Sequence, residues 1–353
     1  CGSQMEGFQR RTTRQLASEL ARQILPDGGH IGRNPQTLID LLLDLLPLRQ
    51  VYASRGIAAP PELLNAIDRM LPMLRLLRHA DGSLALFNGM GVTPPHMVAV
   101  VLAYDDARNV APANAPHAGY QRLDANGAVL VMDAGAPPPR DVSARAHAGQ
   151  LAIEFFCDGY VIICNCGAPD ETQADLRQVA RATAAHSTLT IADTSSSRFA
   201  PRDGRIIAGP RKVEASRQDS PAGPGLLASH DGYEREFGLV HERALRLGAD
   251  GARLVGADRL LPTTNRANGK AIAYALRFHL SPSAQARRDD DGRSATLTMP
   301  DGKIWRFHAN GAPVEVEDSV SFATAGGPRA AQQIVVQADV ATTPAISWSL
   351  ERL

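Results

Sequence analysis

Lysine is almost missing from this chain: of 37 basic residues, only Lys212, Lys270 and Lys303 are not arginine. We read the skew chiefly as the mark of a GC-rich genome, although guanidinium forks also suit carboxylates and sulfates. Net charge is missing too. The 37 basic residues are matched by 37 acidic ones, which excludes the basic excess that a nucleic-acid partner calls for. No apolar run approaches the roughly 20 residues of a membrane-spanning helix. Cysteine is scarce, with four residues of which Cys157, Cys164 and Cys166 lie close together. Two cysteines at i and i+2 of a strand point to one face and form a direct disulfide only with strain, so buried free thiols are expected. No leader segment is visible, and the start at Cys1-Gly2-Ser3 suggests that the native N-terminus lies further upstream.

Several catalytic signatures are also missing. Ser195-Ser196-Ser197 has no Gly-x-Ser-x-Gly frame, so a serine nucleophile is discarded. The Gly89-x-Gly91 pair does not run from a strand into a helix as a dinucleotide site requires. Asp105 and Asp106 are neighbours on an expected helix and face different ways, so no acid pair for glycoside hydrolysis stands out.

What is present is a globular composition, 44% apolar and 21% charged, over 353 residues, enough for about two domains. Residues 8–107 read as helical. Leu16, Leu20 and Ile24 make an apolar stripe at i, i+4, i+8. Asn34-Pro35 opens a Leu-rich segment through Leu46, Pro60-Pro61 opens a helix to about His79, and a further helix is expected over 94–107. Beyond Gly119 the pattern changes to β-rich runs around Asn126-Gly127, Asp158-Gly159, Asp250-Gly251, Asp291-Gly292 and Asp301-Gly302. These dipeptides are strong hairpin signals because both turn positions favour positive φ. Residues 200–225, rich in Pro, Gly, Arg and Asp, read as a long surface loop. His241 and Arg243 alternate on one strand face and read as polar sheet surface. The expected fold is multidomain α+β, a helical domain over 1–117 followed by a large antiparallel β-sandwich over 118–353.

Local motifs narrow this further. Leu25-Pro26-Asp27-Gly28-Gly29-His30 followed by Asn34-Pro35, the strand segment Ala146-His147-Ala148-Gly149-Gln150 to Phe155, Ile162-Ile163-Cys164-Asn165, Ala182-Thr183-Ala184-Ala185-His186-Ser187-Thr188-Leu189-Thr190, and His230-Asp231-Gly232-Tyr233 occur in one order. Together they resemble the C-terminal portion of the heparinase II/III family of bacterial polysaccharide lyases. The resemblance implies the C-terminal part of an α/α toroid ahead of the sandwich. It also implies an acidic, uronate-containing glycan as substrate, β-elimination as the reaction, and a periplasmic or envelope location, with the cytoplasm left open. No membrane span is expected, given the missing apolar run, and the oligomeric state is left open.

The family reaction neutralises a uronate carboxylate, removes the C5 proton and protonates the departing oxygen, with a Tyr and a His sharing the proton transfers. By resemblance the second His of the family's His-x-His falls on His147, an Asp ligand on Asn165 and a third ligand on His186. These three would hold one divalent ion, with zinc the natural choice for imidazoles. The first His falls on Arg145 and the Tyr near Thr37. A guanidinium is a poor general base, so His30, Arg145 and Tyr233 are the candidates for the catalytic set, with Arg33 and Asn34 as substrate contacts. Plainer roles stand beside these: a capping residue for His30, solvated charges for the arginines, and hydrogen-bonded core histidines for His147 and His186. Thr37, Arg145 and Asn165 stand where the chemistry asks for Tyr, His and Asp, which motivates the alternative function. In it, a non-catalytic homologue binds or helps to process an envelope polysaccharide.

Overall fold

The structure, a computed structural model, describes residues 2–104, 110–263 and 271–353, with side chains from residue 7 onward. Cys1, Asp105, Asp106, Lys270 and the end of the helix expected over 94–107 lie outside the described residues. Four helices lead: α1 (Gly2–Gln23), α2 (Pro35–Ser54), α3 (Pro61–Leu76) and α4 (Pro95–Ala103). Three of them start on a proline, whose fixed φ suits the first turn and whose missing N–H has no helical partner to lose there. Helix α2 outruns its expected end at Leu46, passing through Pro47 to Ser54. An interior proline costs about 3 kcal/mol. Here the buried stripe Leu38, Ile39, Leu42, Leu45 and Leu46 outweighs that local signal through packing on α3 and α4.

The strands follow in chain order as β1 (Asn114–Ala115), β2 (Tyr120–Ala125), β3 (Ala128–Asp133), β4 (Ile153–Cys157), β5 (Tyr160–Cys164), β6 (Leu189–Ile191), β7 (Arg198–Phe199), β8 (Ile206–Ala208), β9 (Val213–Arg217), β10 (Gly225–His230), β11 (Leu239–Leu247), β12 (Arg253–Pro262), β13 (Ala273–Leu280), β14 (Gln285–Arg288), β15 (Ser294–Thr298), β16 (Ile304–Asn310), β17 (Val314–Ser321), β18 (Arg329–Asp339) and β19 (Ala345–Arg352). Short helices α5 (Ala174–Ala180) and α6 (Glu234–Phe237) interrupt them. One sheet has the order β1-β2-β3-β4-β5-β13-β18-β17, with β6 also on β13; the other runs β14-β15-β16-β19-β12-β11-β10-β9. All paired strands of both sheets are antiparallel, and the five expected turn dipeptides each close a hairpin. At Asn126-Gly127 both residues take positive φ, 44° and 81°, as the tight turn demands.

Under the helices, along β2, β3 and β4, the first sheet is buried on both faces. Along β3, Leu130 and Met132 join the core between the sheets, whereas Val129 and Val131 join the helices in a second apolar cluster. That explains why this strand reads as a continuous apolar run while β11 alternates buried and half-buried residues along its length. The helical part differs from the expected α/α toroid: the four helices pack over the outer face of the first sheet and close no ring among the described residues. The segment expected as a loop over 200–225 contains β8, which pairs with β7 just before it, and the edge strand β9. Cys157, Cys164 and Cys166 are buried and free, as expected.

His241 and Arg243 do not form polar surface. Both side chains are fully buried between the sheets, because the face of β11 that carries them also carries Leu239, Leu245 and Leu247 into the core. Arg243 Nε donates to Asp258 at 2.7 Å, and its Nη1 crosses to the carbonyls of Leu151 and Ser187 in the first-sheet half. Trp348 Nε1 donates to the other oxygen of Asp258 at 2.8 Å. Burial raises the Asp258 carboxyl, but Arg243 and His241 outweigh it and hold it down at about 2. Removing one member of such a pair leaves a buried charge without a partner. Arg243→Met is therefore expected to lower the unfolding free energy by about 3–5 kcal/mol, measured by urea denaturation. A loss no larger than that of a surface arginine variant would refute this role.

Candidate functional site

The residues singled out by sequence fall in four places. Asp27-Gly28-Gly29-His30 forms the turn between α1 and α2. Asp27 accepts the backbone N–H groups of His117 and Ala118 at 2.7 Å, tying the turn to the sheet. Gly28 has φ +85°, and a Cβ there would stand 1.9 Å from the Arg69 carbonyl oxygen, so the motif's glycine serves a close backbone approach. His30 Nδ1 accepts the Gly32 N–H at 3.0 Å, and its Nε2 lies 3.3 Å from Gln23 Oε1. Burial, with the Arg22 charge behind it, pushes this imidazole down to about 4.

Arg33 is buried, with φ 63°. Its guanidinium donates to the carbonyls of Ala118, Gly135 and Ala136 and ion-pairs with Asp133. Asn88 Nδ2 reaches the other Asp133 oxygen at 2.9 Å, and the Tyr120 hydroxyl donates to the Arg33 carbonyl. The side chain is thus committed inside the protein. Asn34 caps α2, its Oδ1 accepting the Gln36 N–H at 2.8 Å, while its buried Nδ2 has no hydrogen-bond partner among the described residues.

Tyr233 lies inside the sandwich, where its hydroxyl donates to the Leu189 carbonyl at 2.8 Å. Burial raises its pKa well above that of a free phenol. His230 packs beside it and completes a run of neutral imidazoles. The Gly232 N–H donates to His230 Nδ1, His230 Nε2 lies 3.4 Å from His241 Nδ1, and His241 Nε2 lies 2.7 Å from Asp258. Sequence reasoning read these motifs separately; pairing of β10 with β11 brings His230 opposite His241.

His147 and His186 do meet: Nδ1 of the first is 3.2 Å from Nε2 of the second, and His186 Nδ1 donates to the Ala182 carbonyl at 2.8 Å. Burial pushes His186 down to about 4 and His147 well below its ordinary value. Asn165 sits apart in function. Its Oδ1 accepts the Ser187 N–H at 2.9 Å, and its Nδ2 donates to Glu154 Oε1 at 3.1 Å. With that amide committed, two imidazoles remain without a third donor. No group of three His, Cys, Asp or Glu with metal-ligand placement occurs among the described residues. The donor set therefore does not fit a divalent ion, and no chemical step is derived through one.

Arg145 is the candidate that faces open space. A cavity of about 530 Å³ lies between the start of α2 and the sandwich loops, lined by Gln36, Gly89, Arg145, Glu171, Gln173 and Arg177. Arg145 ion-pairs with Glu171, whose oxygen is also 3.9 Å from Arg177. Gly89 has φ +85°, and a Cβ there would stand 2.6 Å from the Arg145 carbonyl oxygen, so glycine at this position lets the helical part close on the Arg145 loop. Gln36, Glu171 and Arg177 were not singled out by sequence. The Gly89-x-Gly91 pair was the available signal, and it marks a close backbone approach rather than a nucleotide site. No histidine or tyrosine lines this cavity.

A family described as Heparinase II/III-like, C-terminal matches residues 107–349, and the chain belongs to that family. It is 35% identical over 339 residues to FtsZ-localized protein C of Caulobacter vibrioides, covering 92% of this chain and 58% of that protein. In fold it is similar to the heparan sulfate lyase HepC from Pedobacter heparinus, with TM-score 0.71, 16% identity, 95% of this chain and 54% of the lyase. It is also similar to a heparinase III, with TM-score 0.78, 12% identity, 99% of this chain and 56% of that one. The chain thus spans a little over half the length of these relatives. No helix among the described residues is long and apolar enough to cross a membrane.

Two outcomes follow. Added zinc is expected to leave the melting temperature unchanged, as is EDTA; a zinc-dependent rise would restore the metal site. The folded chain keeps His30 neutral to about pH 4 and His279 to about pH 3, both chiefly through burial, against an ordinary value of 6.5. The unfolded chain therefore binds more protons below pH 6.5, so stability falls as the pH drops from 6.5 towards 4 and is insensitive to these groups above 6.5. Melting temperatures recorded across that window check this, and a flat profile would contradict it.

Proposed function

We propose that this chain is a non-catalytic member of its family that binds an acidic, uronate-containing envelope glycan in the cleft at Arg145. The observation that carries the reading is the Arg145–Glu171 pair in a cleft whose lining offers no histidine or tyrosine. Elimination needs a base at the C5 proton and an acid at the departing oxygen. A guanidinium stays protonated and performs neither task, but it pairs well with a carboxylate in two-pronged geometry. Tyr233 and His30 are engaged elsewhere, the phenol inside the sandwich and the imidazole with Gln23 and Gly32. Eliminative cleavage would need one of them to leave those partners and enter the cleft.

In a panel of uronate polymers, the chain is expected to bind without producing the ultraviolet absorbance of an unsaturated uronate. Arg145→Ala is expected to weaken binding roughly tenfold, the loss of one charge-assisted contact. Appearance of unsaturated product would establish a lyase instead, and binding indifferent to Arg145 would remove the cleft from the account. Fractionation of cells separates an envelope from a cytoplasmic location.

A second reading rests on the Caulobacter relative, which is by name localised with FtsZ and 35% identical. In this reading the lyase fold serves as a recruitment module at the division site. Co-localisation of a fluorescent fusion with FtsZ would favour it, and uniform distribution in dividing cells would count against it.

A further inference from the structure

Beside the Arg145 cleft lies a second cavity of about 560 Å³, within the size range of small-ligand sites, about 300–1,000 Å³. Its walls differ in kind. Leu86, Val98, Leu102, Val161 and Pro282 supply an apolar surface between α4 and the outer face of the first sheet. Glu154 reaches this chamber, but its carboxylate already accepts from His79 Nε2, from the Leu86 N–H and from both the backbone and the side-chain amide of Asn165. A sugar ring pushed between these apolar walls would leave hydroxyls unpaired. A hydrocarbon would not. Polar side chains line the rest of it: Arg78, Asp81 and Ser83 on the 78–83 turn, Ser281, Ser321 and Thr324, and Thr93, whose hydroxyl already accepts the Leu84 N–H.

The two cavities share Gly91 and Thr324 in their linings. Gly91 has no side chain to separate them, and a Cβ there would stand 3.0 Å from the Ala168 carbonyl oxygen. On the polar side, Arg145 and Arg177 share the single carboxylate of Glu171, whose side chain is 66% exposed, while Asp170 is engaged with Thr172. A ligand carboxylate can take the place of Glu171 there.

We propose that the joined cavities take one amphipathic ligand: an acidic sugar at Arg145 and Arg177 that carries an acyl or alkyl substituent into the apolar chamber. This rests on the glycan-binding reading above and narrows it to a glycan bearing a hydrocarbon group. The occupant is set by the junction at Gly91, by the paired arginines on one side, and by a chamber on the other whose buried carboxylate is already hydrogen-bonded.

The test is calorimetric titration of the intact chain with octyl β-glucuronide, methyl β-glucuronide and octyl β-glucoside, all below micelle-forming concentration, alongside an unsubstituted glucuronate polymer. Octyl glucuronide is expected to bind at least roughly tenfold tighter than either single-ended probe. Ala99→Trp, at an exposed residue on the chamber wall, is expected to remove that advantage while leaving methyl glucuronide binding unchanged. Equal binding of octyl and methyl glucuronide, with polymer binding intact, overturns the hydrocarbon assignment and leaves the glycan cleft standing; an apolar protein side chain would then be the better occupant. Equal binding of octyl glucoside and octyl glucuronide overturns the acidic end. An advantage that survives Ala99→Trp places the chain elsewhere and overturns the proposal. If neither the glucuronides nor the polymer bind, this inference and the glycan-binding reading both fall.

Discussion

Two carboxylates that the first sheet turns towards the helices, Asp133 at the end of β3 and Glu154 on β4, hold the two parts of the chain in register. Each is 1% exposed, where an unpaired charge would cost several kcal/mol. Asp133 is satisfied by Arg33, Asn88 and the Gly135 N–H. Glu154 is satisfied by His79, the Leu86 N–H and Asn165. Every one of these partners except Gly135 and Asn165 comes from the helical segment or its loops. Apolar packing alone would let the helices slide over Val129, Val131 and Phe156. The two carboxylates accept one arrangement, and that arrangement fixes the gap in which the Arg145 cleft lies.

The same logic gives several of the family motifs a role in the fold itself. Gly28, Arg33 and the Asn34 cap serve backbone approach, buried charge and helix initiation, so none depends on a substrate. Asn165 is likewise held by Glu154 and Ser187. A carboxylate at 165 would face Glu154 across the present 3.1 Å contact, and two buried like charges disfavour each other. The cleft itself carries Arg145, on an exposed loop where a change of side chain disturbs little packing.

Between the sheets, the polar cluster of Arg243, Asp258, His241 and His230 does for the sandwich what Glu154 does for the helices. It crosslinks both sheets through directional bonds inside an otherwise apolar layer. Its histidines stay neutral because burial lowers them, so the cluster stays satisfied near neutral pH and is not available for proton transfer in a solvent-exposed cleft.

Much of this was legible in the sequence. Hairpins at Asn126-Gly127 and Asp158-Gly159, helix starts at Pro35 and Pro61, and the sandwich after Gly119 follow from local backbone preferences, which act within a few residues. The motif order around His186 identified the family for the same reason: it is a linear pattern. The passage of α2 through Pro47, the burial of His241 and Arg243, the union of His230 with His241, and the cleft built from Gln36, Arg145, Glu171 and Arg177 could not be read that way. Each depends on which residue a distant strand or loop places opposite, and whether a polar side chain meets water or a partner is set by that neighbour. By itself the sequence determined most of the elements, the family and the candidate residues; only the tertiary structure decided which of those residues are consumed in holding the fold and which, Arg145 among them, face an open cleft.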